Sequence, residues 1–210
     1  MPSRSDRPQP RGEAAPFRRL ARLLSVAGLT ALVPACSSGS APATFDLTAP
    51  SRKAPGGSIS GQVVVAEPVA IQVLEADRIL VKDGAGSVSF LGGGQWADRL
   101  PRLIQSRLIQ TFENASRLKA VSRPGERVSA DYVLTTEIRA FQIEAATGEA
   151  VVELSVKVVS DRSGRIVNAR VFAARVPVGA IDPVNAAQAL DKALSIVLLD
   201  VVRWAGTGHA

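Results

Sequence analysis

Cysteine, histidine and tyrosine each occur once in the 210 residues. One histidine and one cysteine cannot supply the three or four nitrogen and sulfur ligands of a usual zinc site. A lone cysteine has no mate for an intrachain disulfide. A Ser-His-Asp or Cys-His arrangement would have to use His209, the penultimate residue, in a chain end of the kind that is ordinarily unstructured. Two Trp, one Tyr and six Phe are too few for a platform on which nucleic-acid bases stack. No G-x-x-x-x-G-K-[ST] loop is present, so the chain is not itself an ATPase of that class. These shortages point away from an enzyme: no catalytic residues, no metal and no cofactor are expected.

Excess charge of either sign is also scarce where a fold would form. The net charge is +6, but it is unevenly placed. Residues 1–35 hold six arginines against Asp6 and Glu13, whereas residues 36–210 hold 19 basic and 17 acidic side chains. A domain so nearly balanced carries no long-range field to draw it to nucleic acid.

What is present begins with an address. Residues 1–16 are rich in Pro, Arg and Ser, with no apolar run, and cannot bury enough surface to order themselves. Arg18, Arg19 and Arg22 then precede the apolar stretch from Leu23 to Val33. A membrane-spanning helix needs about 20 apolar residues, so this shorter run has the build of a secretory signal peptide. Its end, Leu32-Val33-Pro34-Ala35-Cys36-Ser37, resembles a bacterial lipobox. That resemblance implies cleavage between Ala35 and Cys36 and lipid attachment on the Cys36 thiol. Two or three acyl chains on one residue anchor stably where one is marginal. In the lipoprotein class that this segment resembles, Asp after the cysteine favours the inner membrane, so Ser37 implies the periplasmic face of the outer membrane, with the inner membrane second.

Four segments follow from composition: a disordered head and signal peptide over 1–35, a lipidated cysteine and flexible tether over 36–60, one α+β domain over 61–205, and a tail over 206–210. Phe45-Asp46-Leu47 interrupts the tether and can dock as a short first strand. Gln62–Ala66 reads as a strand ended by Pro68. Arg78–Lys82 and Ser87–Leu91 flank Asp83-Gly84-Ala85-Gly86 and read as a hairpin. Gly92-Gly93-Gly94 reads as a flexible connection.

Leu100, Leu103, Ile104, Leu108 and Phe112 form a helical stripe, with Asp98 as its cap and Pro101 in its first turn. Three strands come next. Tyr132–Glu144 places Leu134, Ile138 and Ala140 on one face. Ala150, Val152, Leu154, Val156 and Val158 alternate with Val151, Glu153, Ser155, Lys157 and Val159. Val167, Ala169, Val171 and Ala173 alternate with Asn168, Arg170 and Phe172. Asp182-Pro183 opens a last helix. The expected fold is an α+β two-layer sandwich, an antiparallel sheet with two helices on one face, in the order β-β-β-α-β-β-β-α.

Several of these pieces together resemble one family. They are Phe45-Asp46-Leu47-Thr48-Ala49-Pro50, Arg78-Ile79-Leu80-Val81, Ser87-Val88-Ser89-Phe90, Gln95-Trp96-Ala97-Asp98-Arg99-Leu100-Pro101, and a last helix ending in Trp204-Ala205. The set is similar to the ABC-type transport auxiliary lipoproteins, partners of MCE-domain lipid transporters, over about residues 36–205. Val81 and Phe90 stand where members of that family often carry tyrosine. The resemblance implies a non-catalytic envelope lipoprotein. It would assist an MCE-domain protein, with its inner-membrane permease and ATPase, in carrying lipid between inner and outer membranes. The alternative is a lipoprotein activator or assembly factor for another envelope machine.

Five aromatic residues are candidates for partner contact: Trp96, Phe90, Tyr132, Phe141 and Phe172. Trp96 reads first as packing at the start of the first helix and second as an interface anchor. Tyr132, Phe141 and Phe172, with Val151 and Val159, suggest a second apolar sheet face. That face is either covered by the tether or the N-terminal strand, or used against an MCE protein or a second copy of the chain. Asp182, Asp191 and Asp200 recur every nine residues, about two and a half helical turns, so successive members point apart and form no acid–base pair.

Overall fold

A computed structural model describes residues 41–51, 61–115 and 121–205. The signal peptide, Ala35, Cys36, His209, the tail and much of the tether lie outside the described residues. In chain order the strands are β1 (Ala43–Phe45), β2 (Val63–Val65), β3 (Val69–Ala70), β4 (Arg78–Lys82), β5 (Val88–Trp96), β6 (Val121–Ser122), β7 (Tyr132–Glu144), β8 (Glu149–Ser160) and β9 (Ile166–Pro177). The helices are α1 (Leu100–Ala115), between β5 and β6, and α2 (Pro183–Ala205), after β9.

The long strands are dictated by alternation. In β8 the set Ala150, Val152, Leu154, Val156 and Val158 is buried throughout, so this face is the inner one. The turns into and out of β8 use Gly148 at φ 66 and Gly164 at φ 65, a region favourable to glycine. Connections this short force antiparallel neighbours, and β8 pairs antiparallel with β7 and with β9.

The fold is α+β with two helices, as the pattern implies, but the sheet is mixed rather than antiparallel. The far edge of β7 receives three short strands in succession: β2 beside Tyr132–Leu134, β3 beside Glu137–Ile138 and β4 beside Gln142–Glu144, all parallel to it. The sheet then forks, through β2 to β6 on one branch and through β4 to β5 and β1 on the other. The chain between these short strands and β7 includes α1, long enough to bring the chain back in the same direction. β3 and β6, two residues each, are too short to carry a pattern.

Phe45-Asp46-Leu47 does dock. β1 pairs parallel with β5, Leu47 is buried, and Arg107 bonds Asp46 at 2.6 Å. The folded unit, which contains Ser40–Ala210, therefore begins before Gly61.

Three expectations about local structure are corrected. Gly92-Gly93-Gly94 is not a connection but lies inside β5. A Cβ on Gly94 would sit 2.7 Å from Pro183 Cβ and 3.2 Å from Phe45 Cε2. Gly94 therefore lets the start of α2 and β1 close on the sheet. Ala140 does not continue the face of Leu134 and Ile138, because the β7–β8 register shifts between Ile138 and Ala140. That bulge hands the inner face to Phe141 and Ile143. In β9 the inner residues are Phe172, Ala174 and Val176, while Val167, Ala169, Val171 and Ala173 are exposed. Direct pairing of Leu154 with Phe172 sets this phase, since paired residues share a face.

The helices complete the core. α2 packs on β8, β9 and α1, and α1 also meets β2 and β6. Leu100, Leu103, Ile104, Leu108 and Phe112 are all buried. The buried Gln105 donates to the Val65 carbonyl at 3.0 Å, tying α1 to β2. Asp182 caps α2 by accepting from the Val184 and Asn185 amides. Asp98 does not cap α1 in that way. It accepts from the adjacent Arg99 amide and pairs with Arg102, while the Leu100 amide reaches the Ala76 carbonyl.

Candidate functional site

The aromatic candidates separate by burial. Trp96 is 2% exposed, with its ring edge-on to Phe141 at 5.7 Å. The packing reading therefore holds for Trp96, and Phe141, 1% exposed, is core as well. Phe172 is also inside, edge-on to Trp204 at 5.4 Å. As partner contacts these three are corrected. The β7 bulge and the β9 phase turn Phe141 and Phe172 inward, which the uninterrupted period-two reading could not anticipate. Tyr132 is half-buried where β2, β7 and β8 meet, paired with Val63 and Ser160. Phe90 alone of the five is open, 43% exposed, with the Arg78 guanidinium 5.3 Å from its ring centre.

Phe90 begins a row across the outer face. It pairs with Leu80, Leu80 with Gln142, Gln142 with Val151, and Val151 with Arg175. Leu80, Gln142 and Val151 are each buried. β1, one of the expected covers, extends the sheet edge beside β5 and does not lie over this face. Beside the row the face is ionic: Lys82 meets Glu144, Arg175 meets Glu149, and Arg139 meets Glu137 and Glu153. The second apolar face expected from sequence is thus a narrow strip among ion pairs.

The charged groups have structural employment. Asp191 accepts from the Thr48 amide and hydroxyl, each at 2.6 Å, holding the segment after β1 against α2. Asp200 pairs with Arg203. The Asn185 backbone and side chain, then the Val184 amide, hold the Asp182 carboxyl below its ordinary range, because donors favour the ionised form. Among the described residues no cluster of His, Cys, Asp or Glu could hold a metal ion, and no helix is long and apolar enough to cross a membrane.

Two surface features escaped the sequence reading. Val69 and Ile71 are 64% and 65% exposed where β3 leaves the sheet unfilled, beside a cleft of about 440 Å³ bordered by Glu137, Ile138 and Arg139. Between β9 and the end of α2, a cleft of about 340 Å³ is lined by Arg170, Phe172, Asp200, Arg203 and Trp204. The first has no periodic signal in two residues. The second had one, the lack of any acid from Ile166 to Ile181. Clefts of this kind can bind and position a partner.

Comparison with known proteins agrees with this architecture. A protein of unknown function from Bradyrhizobium diazoefficiens is 34% identical over 186 residues, covering 84% of this chain and 49% of its own length. The chain thus spans about half of that relative. A crystal structure of a Xanthomonas campestris protein superposes with a TM-score of 0.72 at 26% identity, covering 78% of this chain and 94% of that one. A second crystal structure, of an uncharacterised protein, gives a TM-score of 0.62 at 12% identity over 79% and 99% of the two chains, a likeness of fold alone. Residues 45–202 match the family described as the ABC-type transport auxiliary lipoprotein component. The chain belongs to the ABC-type transport auxiliary lipoprotein family.

Proposed function

We propose that this protein is a non-catalytic envelope lipoprotein, anchored through Cys36 at the periplasmic face of the outer membrane. There it assists an MCE-domain protein, with its permease and ATPase, in moving lipid between the two membranes. The family match over residues 45–202 carries this reading. The position of the lone cysteine supports it. Only six residues separate Cys36 from Ala43, the first residue of β1. Fully extended, the seven steps reach at most about 25 Å, so an acylated Cys36 keeps the domain close to a bilayer. At about 0.8 kcal/mol per buried CH₂, two acyl chains suffice for stable anchoring.

The surface also favours a binding role. Among the described residues it offers clefts, an apolar strip and an open strand edge, and the α2 carboxylates are spent on a cap, a tether contact and an ion pair. ATP hydrolysis belongs to the partner in this scheme.

Intact-mass measurement of the protein from its native host tests the anchor. The expected product begins at Cys36 and carries diacylglyceryl and fatty acyl mass. A chain that starts upstream, or carries no lipid mass, defeats the anchoring. Gentle detergent extraction and affinity capture test the partner. An MCE-domain protein should co-purify, and capture of a peptidoglycan synthase instead would favour the activator alternative.

A further inference from the structure

The open edge of β9 has the chemistry of a strand acceptor, an observation independent of lipid attachment and of the lipid-transport reading. Among the described residues β9 pairs with β8 alone. The Val178 amide donates to the Gly148 carbonyl on the β8 side, and the register from Asn168 to Pro177 is unbroken. Successive residues of an antiparallel strand alternate in hydrogen-bond direction. Even-numbered residues therefore face β8, and odd-numbered ones face outward.

The two ends of that edge are blunted. Asn168 Oδ1 takes the Ala169 amide at 3.0 Å, and Pro177 has no amide hydrogen. Between them Val171, Ala173 and Arg175 present both N–H and C=O to the outside. Natural edges are ordinarily protected along their length; here the middle is left open.

Two further features define what fits. The ionisable side chains of β9 are Arg170 and Arg175, with Arg165 just before it and no acid until Asp182. Arg170 lies over the Phe172 ring at 5.2 Å and makes no ion pair among the described residues. On the helix side, the Phe172–Trp204 cleft adjoins this edge. A strand added to β9 would aim the side chain opposite Phe172 into that cleft. Pockets for alternate side chains are how strand addition acquires specificity.

We propose that the Val171–Arg175 edge binds an extended segment of a partner protein by strand addition. The segment carries an apolar side chain for the Phe172–Trp204 cleft and carboxylates five residues apart, opposite Arg170 and Arg175. Two β9 edges brought together would be basic against basic, which disfavours a second copy as the occupant.

The test measures residue-level amide exchange in the full chain, with and without the peptide Thr-Glu-Thr-Val-Leu-Thr-Glu-Thr. The amides of Val171, Ala173 and Arg175 should become protected, and that of Ala169 should not change. Loss of two exposed charge pairs makes the peptide with lysine for glutamate bind roughly ten-fold weaker. Ala173→Pro should abolish the new protection, because an edge strand tolerates proline but cannot then pair at that point. Arg170→Glu, which leaves the backbone untouched, should level the preference between the two peptides, because each then meets one attractive and one repulsive partner. The proposal fails if the three amides are already protected in the free chain, whether by its own termini or by self-association. It also fails if the two peptides bind the parent chain equally, or if folded Ala173→Pro still gains protection.

Discussion

Val156 and Lys157 are neighbours in β8, yet they belong to different worlds. Val156 is fully buried on the inner face under α2, whereas Lys157 is exposed on the outer one. The contrast runs through the whole meander. Inside, burial is continuous from Leu134 through Leu154 to Phe172, and stability resides in packing. Outside, the same strands carry Glu137, Arg139, Glu149, Glu153 and Arg175 in exposed ion pairs, each of which contributes little. One face holds the fold together, and the other is available for partners without great cost to stability.

The sharpest way to break this contrast is a charge on each face. Val156→Asp places a carboxylate where nothing can solvate it and should cost about 4 kcal/mol or more. That is a large share of the stability of a typical domain, so the urea transition should be lost or move to much lower denaturant. Lys157→Asp should unfold within about 0.5 kcal/mol of the parent. Equal effects would mean that the β8 faces are assigned the wrong way round.

A second pair examines β9. Phe172→Ala removes a ring stacked edge-on to Trp204 and should cost about 3–5 kcal/mol. Val171→Ala, on the exposed side, should cost far less. Chemical denaturation of the two variants separates them, and a larger loss at Val171 would refute the phase described above.

The smallest effect concerns the cap where α2 enters the inner layer. The Asp182 carboxyl is held below its usual range in the folded state, so the unfolded chain binds its proton first as pH falls. Its contribution is complete above the ordinary carboxylate range and is lost as pH drops through the folded value. The stability gap between the parent and Asp182→Ala should therefore narrow on acidification in parallel thermal melts. A gap that widens toward acid would contradict the cap.

The inner face was largely legible in the linear pattern because α2 and β8 carry long, regular periods. The α1 stripe, the β4–β5 hairpin and the Asp182-Pro183 helix start were legible for the same reason. Errors entered where one residue changes the phase. The extra residue in β7 moves Phe141 inward, and a pattern of alternating apolar residues in β9 supports either face until Leu154 is found opposite Phe172. These errors fell on the candidate contacts, so of the five aromatics only Phe90 remains openly exposed. Gly92-Gly93-Gly94 misled for another reason. Within it Gly94 makes room for Pro183 and Phe45, side chains about ninety and fifty residues away in sequence.

By itself the sequence determined most of the elements, including the two helices, because propensity and periodicity act over a few residues. Only the tertiary structure decided that three short strands line up parallel along one edge of β7, which aromatics turn inward, and that among the described residues the far edge stays open at β9. Strand order and phase depend on pairings between distant segments, whose hydrogen-bond energies are nearly independent of side-chain identity, so no local pattern encodes them.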